Sequence, residues 1–407
     1  MNAMQDIAST GVSERVAIVL PCLNEARTIE WCVRRAHKAL DELDRRHGLP
    51  GEVIVADNGS TDGSRDLAAA AGARVVPVAE RGYGAALHGG FAAAAEAGAT
   101  YLVMGDSDCS YDFLESVEMI EKLRDGAELC MGSRFKGEIK PGAMPWKNRY
   151  IGNPVLSGIL RLLFRTKISD SHCGLRAIRT EAYERLNLSS TGMEFASEMV
   201  LKSVLHELTI DEVPITLSPD GRDRPPHLNP WRDGLRHLIY MFLLSPKHLF
   251  LWPAIVMSVF GLAVFALLLT AGGSELARIG PFRIGDHFAV AASAALVVGV
   301  QTGITGIFAT LYSVQRGYRR PSSRVLSLLK RSRLEYWILG GTGLTLIGLI
   351  WAITITANWV AQDFGQLDQI RNLIAAATLS VIGLQVFFSG FLLSIFAGNR
   401  SSHLNVL

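Results

Sequence analysis

Four long apolar stretches in the second half of the chain constrain its fold more than any other feature. They cover residues 249–271, 288–312, 336–357 and 373–397, and they contain no Asp, Glu, Lys or Arg. A helix needs about 20 residues to cross the hydrocarbon core of a bilayer, so each stretch is long enough to do so. Buried helices of a soluble protein are the alternative, but four such runs in series favour a transmembrane domain over residues 249–400.

The charges of the connecting segments predict how these helices are oriented. The segment between the second and third stretches is strongly basic, with Arg316, Arg319, Arg320, Arg324, Lys330, Arg331 and Arg333. Basic loops stay on the cytoplasmic side, so we predict a multi-pass protein of the inner cell membrane with both termini in the cytoplasm. A nucleic-acid patch is the alternative, but a loop between two spans is better placed for anionic lipid headgroups, and we predict no nucleic-acid partner.

The amino-terminal part carries the features of a cytoplasmic domain. Residues 1–14 are polar and lack the apolar core of a signal peptide, so we predict a flexible tail there. All five cysteines precede the apolar stretches: Cys22, Cys32, Cys109, Cys130 and Cys173. Their odd number and the lack of a C-x-x-C pair predict reduced thiols rather than a disulfide framework or a zinc site.

Short β-rich runs alternate with helical patterns between residues 15 and 225. Helices are predicted at 26–46, in a short segment ending near Ala71, and at 84–97, and strands at 15–20, 52–56, 74–78, 100–105 and 128–132. This alternation predicts an α/β domain with a mostly parallel central sheet. Ligands of such sheets bind in the crevice at the carboxyl ends of the strands.

Polar clusters follow three of these strands: PCLNEA, ADNGSTDGS and MGDSDCS. In the third cluster Asp106 and Asp108 form a D-x-D pair, and alternate side chains of an extended segment point the same way. Two adjacent carboxylates repel each other unless a cation lies between them, and Mg²⁺ or Mn²⁺ shared with substrate phosphates suits such a pair. A solvated loop is the alternative for D-x-D. We interpret Asp112 and Asp62 as helix caps.

Two further segments suit a nucleotide. Asn24 and Glu25 offer an amide and a carboxylate for the hydrogen-bonding edges of a nucleobase. The sequence RGYGAA, residues 81–86, combines glycines with a helix start, a pattern that favours close approach of a phosphate. It has neither the spacing of a Walker motif nor a complete G-x-G-x-x-G.

Together these motifs resemble a known family. LPCLNEA, ADNGSTDGS, RGYGAAL, MGDSDCSYDF and GSRF (132–135) occur in the order typical of inverting family-two glycosyltransferases of the GT-A fold. More narrowly they are similar to polyprenyl-phosphate sugar synthases, which use dolichyl or undecaprenyl phosphate. The resemblance covers residues 15–225, including SDSHCGLRAIRTEAY at 169–183. Two departures are Asp57-Asn58, where many relatives have paired aspartates, and Cys109-Ser110, where some have Leu-Gln.

The resemblance implies transfer of one sugar, glucose or mannose, from UDP-glucose or GDP-mannose to polyprenyl phosphate with inversion. The product would be a lipid-linked monosaccharide for assembly of cell-envelope glycans or glycoconjugates. The implied metal ligands are Asp106 and Asp108, which with Arg134 and Arg149 form the implied catalytic set. The implied nucleotide-sugar site comprises Pro21, Leu23, Asn24, Glu25, Asp57, Arg81, Gly82, Gly84, Asp106, Ser107 and Asp108. The candidates for the lipid phosphate are Arg134, Arg149, Arg222 and Arg224, since guanidinium groups match phosphate geometry.

The remaining expectations concern the membrane and competing functions. Residues 226–248 mix apolar and basic side chains in a pattern typical of a helix lying at the membrane interface, with a buried helix as the alternative. A processive polysaccharide synthase would carry a Q-x-x-R-W segment, which the sequence lacks. A flippase or transporter with a nucleotide-binding domain is disfavoured by spans without ionisable residues. The intact D-x-D disfavours an inactive scaffold, and a homo-oligomer stays open.

Overall fold

The structure is a computed structural model that describes residues 14–222, 230–270, 277–279, 282–315, 334–364 and 369–396. The chain divides into two compact units, residues 1–241 and 242–407. Most of the tail predicted at 1–14, the basic loop and Arg224 lie outside the described residues.

The first unit is built on a seven-stranded sheet with the order β3-β2-β1-β4-β6-β5-β7. Its strands are β1 Val16–Cys22, β2 Gly51–Asp57, β3 Arg74–Pro77, β4 Tyr101–Met104, β5 Leu129–Ile139, β6 Arg176–Arg179 and β7 Ile210–Leu217. The β1, β2, β3 and β4 strands are parallel neighbours, and β5 is parallel to β7. Only β6 runs antiparallel to its neighbours β4 and β5. The predicted mostly parallel sheet is therefore confirmed.

Helices accompany this sheet, and several of them pack directly on its strands. They are α1 Ile29–His47, α2 Ser64–Ala70, α3 Tyr83–Glu96, α4 Ser116–Arg124, α5 Asn153–Phe164, α6 Thr180–Leu186, α7 Glu194–Leu205 and α8 Pro230–Leu243. The helical spacing in α1 is confirmed, because Ile29, Val33, Ala36 and Leu40 are all buried in the core. Residues 16–20 of β1 are buried throughout, as expected for a central strand covered on both faces.

The structure differs from the sequence prediction mainly in the outer half of the sheet. The β1 strand continues through Pro21 and Cys22, past the predicted end at residue 20, because both residues pair in register with β2. The β5 strand extends to Ile139, past the predicted end at residue 132. The β6 and β7 strands were not predicted. The β6 sequence RAIR is short and charged at both ends, so periodicity alone does not reveal a buried strand.

The second unit contains four helices that are long and apolar enough to cross a membrane: α9 Trp252–Thr270, α10 Asp286–Gln315, α11 Leu334–Ala361 and α12 Ile370–Phe396. Each overlaps one predicted span. Between α9 and α10 lie two short antiparallel strands, β8 Ala277–Ile279 and β9 Phe282–Ile284. Among the described residues these four helices meet the length and composition of a span, so the predicted transmembrane domain agrees with the fold.

Glycines bring α11 and α12 into close contact. A Cβ atom at Gly348 would lie 2.6 Å from the carbonyl oxygen of Ala376, and one at Gly383 would lie 2.4 Å from the amide nitrogen of Thr345. No side chain fits at these distances, so both positions require glycine. Close backbone approach through small residues is a common way in which membrane helices associate, because lipid provides no hydrophobic driving force between them.

Candidate active site at the carboxyl ends of the strands

A cavity of about 610 Å³ opens where β1, β2 and β4 end. Nine of the predicted nucleotide-sugar residues line it: Pro21, Leu23, Asn24, Glu25, Arg81, Gly82, Asp106, Ser107 and Asp108. The three polar clusters thus meet at one edge of the sheet, as the strand-end rule predicts. A second groove of about 740 Å³, between α1 and α4, is lined mainly by charged surface side chains and contains none of the predicted residues.

The D-x-D carboxylates face this cavity and are held in fixed orientations. Asp106 accepts a hydrogen bond from the hydroxyl of Tyr83 at 3.1 Å. Asp108 accepts from the amide and the hydroxyl of Ser110, at 3.0 and 2.5 Å. Burial raises the pKa of Asp106 to about 6, and the negative charge of Asp108 adds to the effect. The pair therefore forms a centre of negative charge that favours a cation.

Arg222 supplies one positive charge at this centre. Its Nη1 atom lies 3.1 Å from Oδ2 of Asp108, and its Nη2 atom lies 2.8 Å from Oε1 of Glu25. Burial lowers the pKa of Arg222, but the hydrogen bond to Glu25 and the charge of Asp108 outweigh it, and the net pKa is raised. The sequence assigned Arg222 to the lipid phosphate and Glu25 to the nucleobase. The structure places both beside the D-x-D pair.

Asp57 lines no part of the cavity, contrary to its assignment to the nucleotide-sugar site. Its side chain is almost fully buried and accepts hydrogen bonds from the amides of Gly59 and Ser60. Nε of Arg65 lies 2.6 Å from its Oδ2 atom. A carboxylate satisfied in this way holds the turn after β2, so Asp57 shapes the cavity edge.

The structure explains why an asparagine follows Asp57. Asn58 donates from Nδ2 to the carbonyl oxygens of Val78, at 3.2 Å, and Glu80, at 2.6 Å. Its Oδ1 atom accepts from the amide of Gly82 at 2.7 Å. The side-chain amide both donates and accepts, whereas an aspartate carboxylate only accepts and would lose the two donated bonds here. Asn58 also lines the cavity, although we did not assign it to the site.

The glycines at the start of α3 have a different role from the predicted one. The amides of Gly84 and Ala85 donate to the carbonyl oxygens of Gly192 and Thr191, at 3.2 and 2.9 Å. A Cβ atom at Gly82 would lie 2.1 Å from the carbonyl oxygen of Thr191. The glycines therefore allow the neighbouring chain segment to approach, and Gly82 lines the cavity whereas Gly84 does not.

Arg134, which the sequence assigned to the lipid phosphate, is buried and forms an ion pair with Asp170. Its Nε and Nη2 atoms donate to the two carboxylate oxygens of Asp170, at 2.7 and 2.8 Å. Both side chains are less than a tenth exposed. Asp170 therefore occupies the Nε and Nη2 atoms of the guanidinium group. Its positive charge still acts to lower the pKa of Asp106.

Arg149 lies apart from the cavity, in a π-helical turn formed by Asn148–Gly152 just before α5. Its guanidinium carbon lies 5.5 Å from the ring centre of Tyr150, a distance typical of a cation–π contact. Among the described residues Arg149 has no ion pair or hydrogen-bonded side chain. Its guanidinium group thus has unused N–H donors, and it lies near the exposed aromatic side chains of Trp146 and Tyr150.

The sequence also missed Tyr83 and Met193, which line the cavity. Tyr83 holds Asp106, and burial raises the pKa of its hydroxyl well above the usual value, so it stays a hydrogen-bond donor. Its position inside RGYGAAL was the signal that could have identified it. Met193 has no such signal, because it reaches the cavity only through the contact of segment 190–192 with α3.

The predicted cap at Asp112 is confirmed, whereas the N-cap position of α2 is Gly63 rather than Asp62. Asp112 accepts from the amide of Leu114 at 3.0 Å and forms an ion pair with Arg35. Asp62 accepts from the amide of Ser64, the first residue of α2, at 3.1 Å. Neither carboxylate lines the cavity, so the acidic centre is formed by Asp106 and Asp108, with Glu25 beside them.

Comparison with known proteins matches both units of the chain. Residues 17–186 match the model described as glycosyl transferase family 2, and residues 307–397 match the model of the family 2 C-terminal transmembrane region. The α/β domain, its D-x-D cavity and the four apolar helices define a membrane-bound glycosyltransferase of the GT-A fold. Over 395 residues the chain is 35% identical to the low-salt glycan biosynthesis hexosyltransferase Agl6 of Haloferax volcanii, covering 97% of this chain and 90% of that one. The chain belongs to glycosyltransferase family 2.

Two further proteins resemble the amino-terminal part. The polyprenol monophosphomannose synthase of Mycolicibacterium smegmatis is 29% identical over 227 residues, 53% of this chain and 82% of that one. A glucosyl-3-phosphoglycerate synthase from Mycobacterium tuberculosis, solved with Mn²⁺, UDP and glucosyl-3-phosphoglycerate, is 24% identical. That similarity covers 56% of this chain and 79% of the other, with a TM-score of 0.43.

Proposed function

We propose that this glycosyltransferase transfers one hexose from a nucleoside-diphosphate sugar to polyprenyl phosphate, with inversion at the anomeric carbon. The observation that carries the proposal is the cavity in which Asp106, Asp108 and Arg222 meet at the strand ends. The names of the relatives support a hexose and a polyprenol-type acceptor. UDP-glucose is our first choice of donor and GDP-mannose the second, with undecaprenyl or dolichyl phosphate as acceptor.

A divalent cation fits the donor set at Asp106 and Asp108. Within the described ranges no group of three or more His, Cys, Asp or Glu side chains is arranged to hold a metal. Two carboxylates that share a cavity suit Mg²⁺ or Mn²⁺ whose other ligands are phosphate and water oxygens. Such a cation would neutralise charge on the departing diphosphate. Arg222 keeps the Asp108 side chain oriented towards the same point.

Direct displacement by the acceptor suits this cavity better than a covalent intermediate. The acceptor phosphate is already ionised at neutral pH, so it requires no strong general base. Among the hydroxyl and thiol groups that line the cavity, Ser107 donates its hydroxyl to the carbonyl oxygen of Pro21 at 2.6 Å. Cys22 is buried, which raises the pKa of its thiol to about 11. Attack by the acceptor on the face opposite the diphosphate inverts the anomeric carbon.

The experiment that tests this function follows the product. Membranes containing the full chain would receive labelled UDP-glucose or GDP-mannose together with polyprenyl phosphate, and lipid-linked product would be extracted. NMR of the purified product should show one hexose per lipid phosphate, with an anomeric configuration opposite to that of the donor. A retained configuration would contradict direct displacement, and a growing polymer would identify a processive synthase.

The acceptor must be presented at a membrane, and one face of the first unit is suited to that. Segment 146–162 exposes apolar side chains, including Trp146 and Tyr150, and α8 exposes Leu235 and Ile239. A Cβ atom at Gly234 would lie 4.0 Å from Leu156, so α5 and α8 contact each other. We propose that this shared apolar face enters the headgroup layer, where Arg149 would contact the lipid phosphate.

Replacing Arg149 with alanine should weaken use of the lipid acceptor without affecting the donor. A charge-assisted hydrogen bond to phosphate contributes about 1.5–3 kcal/mol, so KM for polyprenyl phosphate should rise about 10-fold or more. Steady-state kinetics with each substrate varied in turn measures this. Arg34→Ala is the control, because Arg34 is an exposed arginine of α1, outside segment 146–162, that pairs with Glu30. Equal KM values for the two variants would remove Arg149 from the acceptor site.

The cytoplasmic location of the catalytic domain can be tested directly. Tags near residues 10, 325 and 403 should be protected in sealed right-side-out cells, and tags near 278 and 366 should be accessible from outside. The reason is the basic segment 316–333, which should stay on the cytoplasmic side. Labelling with a membrane-impermeant reagent measures this. An accessible tag at 325 would overturn the four-span topology.

A further inference from the structure

Cys109 and Cys32 form a close pair of thiols directly behind the D-x-D segment. Their sulfur atoms lie 3.8 Å apart, and both cysteines are free. Cys32 is fully buried in α1, whereas Cys109 is partly exposed. The other three cysteines, Cys22, Cys130 and Cys173, are at most 2% exposed. An oxidant that enters this domain therefore meets Cys109 first, with a second thiol beside it.

The residues around Cys109 connect it to the active site. Cys109 immediately follows Asp108 and has a φ of 66°, a left-handed conformation that is uncommon for a residue with a side chain. The carbonyl oxygen of Asp108 accepts from the amide of Gly221 at 2.8 Å. A Cβ atom at Gly221 would lie 3.7 Å from the Cys109 sulfur. Arg222 directly follows Gly221. Cys109 therefore belongs to the segment that carries Asp108 and lies next to the segment that carries Arg222.

We propose that Cys32 and Cys109 are a redox modification site, at which a reversible disulfide switches off the active site. The consequence for transfer rests on the proposed function, but the disulfide itself does not. A disulfide bond is about 2.05 Å long, so the two sulfur atoms have to approach by less than about 2 Å. This movement draws Cys109 towards Cys32 of α1. Because Cys109 directly follows Asp108, it shifts the backbone that carries the Asp108 carboxylate.

The oxidation balances with hydrogen peroxide as the oxidant. The Cys109 sulfur attacks one peroxide oxygen, the O–O bond breaks, and a sulfenic acid and one water molecule result. The Cys32 sulfur then attacks the Cys109 sulfur, the S–O bond breaks, and the leaving hydroxide takes the thiol proton as a second water. Two electrons pass from the two sulfurs to the peroxide. A dithiol such as dithiothreitol reverses the bond by exchange.

The full chain in detergent micelles, treated with hydrogen peroxide and then alkylated, tests the proposal. Non-reducing peptide mass spectrometry should find the Cys32 and Cys109 peptides joined, with the loss of two hydrogens. Hydrogen–deuterium exchange should change in residues 105–112 and 218–222. Transfer should fall at least 10-fold and recover with dithiothreitol. Oxidation of Cys109 without a bond to Cys32 would overturn the proposal, as would a bond that leaves exchange and transfer unchanged.

Cysteine variants distinguish the effect of a Cys32–Cys109 disulfide from that of oxidation elsewhere in the protein. Cys32→Ala should keep the activity of the reduced enzyme and resist peroxide, because the bond cannot form. Cys109→Ser should likewise give no joined peptide. Cys130→Ala is the matched control and should remain as sensitive as the unmodified chain, since Cys130 is a buried cysteine outside the pair. Equal sensitivity of Cys32→Ala would overturn the switch. If the reduced enzyme did not glycosylate polyprenyl phosphate, the proposed function would fail, while the joined peptide and the exchange data would still decide this proposal.

Discussion

Asp108→Asn is expected to reduce hexose transfer about 100- to 1,000-fold, the range that loss of one electrostatic contact to a transition state typically costs. The substitution keeps an oxygen that accepts from Ser110, so the local turn should persist. It replaces the charged oxygen facing Arg222 with a donor and removes one of two proposed metal ligands. Initial rates with saturating donor and acceptor, together with Mn²⁺ binding followed by electron paramagnetic resonance, measure both losses.

The control for this variant is Asp112→Asn. Asp112 belongs to the same acidic segment, but it caps a helix and pairs with Arg35 outside the cavity. Asparagine caps a helix about as well as aspartate, so only the ion pair with Arg35 is weakened. This should cost about 0–1 kcal/mol and leave the transfer rate within a few-fold. Near-normal transfer by Asp108→Asn, or by the unmodified enzyme in EDTA, would contradict the proposed metal centre.

The sequence predicted the inner half of the sheet well, because its signals are local there. The strands β1, β2 and β4 are short apolar runs, and each ends in a polar cluster. The strand-end rule then brings those clusters to one edge, and the cavity lies at that edge. Asp106 and Asp108 were identified for this reason. No long-range contact was needed.

The residue roles that the sequence did not predict have a common cause. Each role depends on contacts between distant parts of the chain. Arg134 and Arg222 look alike in sequence, both being arginines in polar segments. Their roles depend on partners 36 and 197 residues away, Asp170 and Glu25 respectively. In the same way, Gly84 appeared suited to a phosphate only because the approach of segment 190–192 cannot be read from local sequence. The residue types predicted that these residues make close polar contacts, but they did not predict the partners.

Replacing Arg134 with methionine is expected to destabilise the chain by about 3–5 kcal/mol, because it leaves the Asp170 carboxylate buried without its partner. For a unit of this size the melting temperature should fall by about 10 °C, measured on the full chain by tryptophan fluorescence. Arg185→Met is the matched control. Arg185 pairs with Glu128 on the surface, and such exposed pairs contribute about 0–1 kcal/mol. Equal effects of the two substitutions would contradict a structural role for Arg134.

The pH dependence of this effect has a definite sign. In the unmodified chain Arg134 helps to hold the pKa of Asp170 below its usual value. The stability that Asp170 contributes is therefore fully present above the ordinary carboxyl pKa and is lost as the pH falls through the lowered one. In Arg134→Met burial acts without compensation and raises the pKa of Asp170, so the variant gains stability as protonation removes the buried charge. The difference in melting temperature between the two proteins should thus shrink between about pH 7 and pH 5.

Asp170→Asn added to Arg134→Met should recover part of the loss at pH 7, because no unpaired charge remains buried. If Arg134 served only the lipid phosphate, neither the pH dependence nor this recovery would occur.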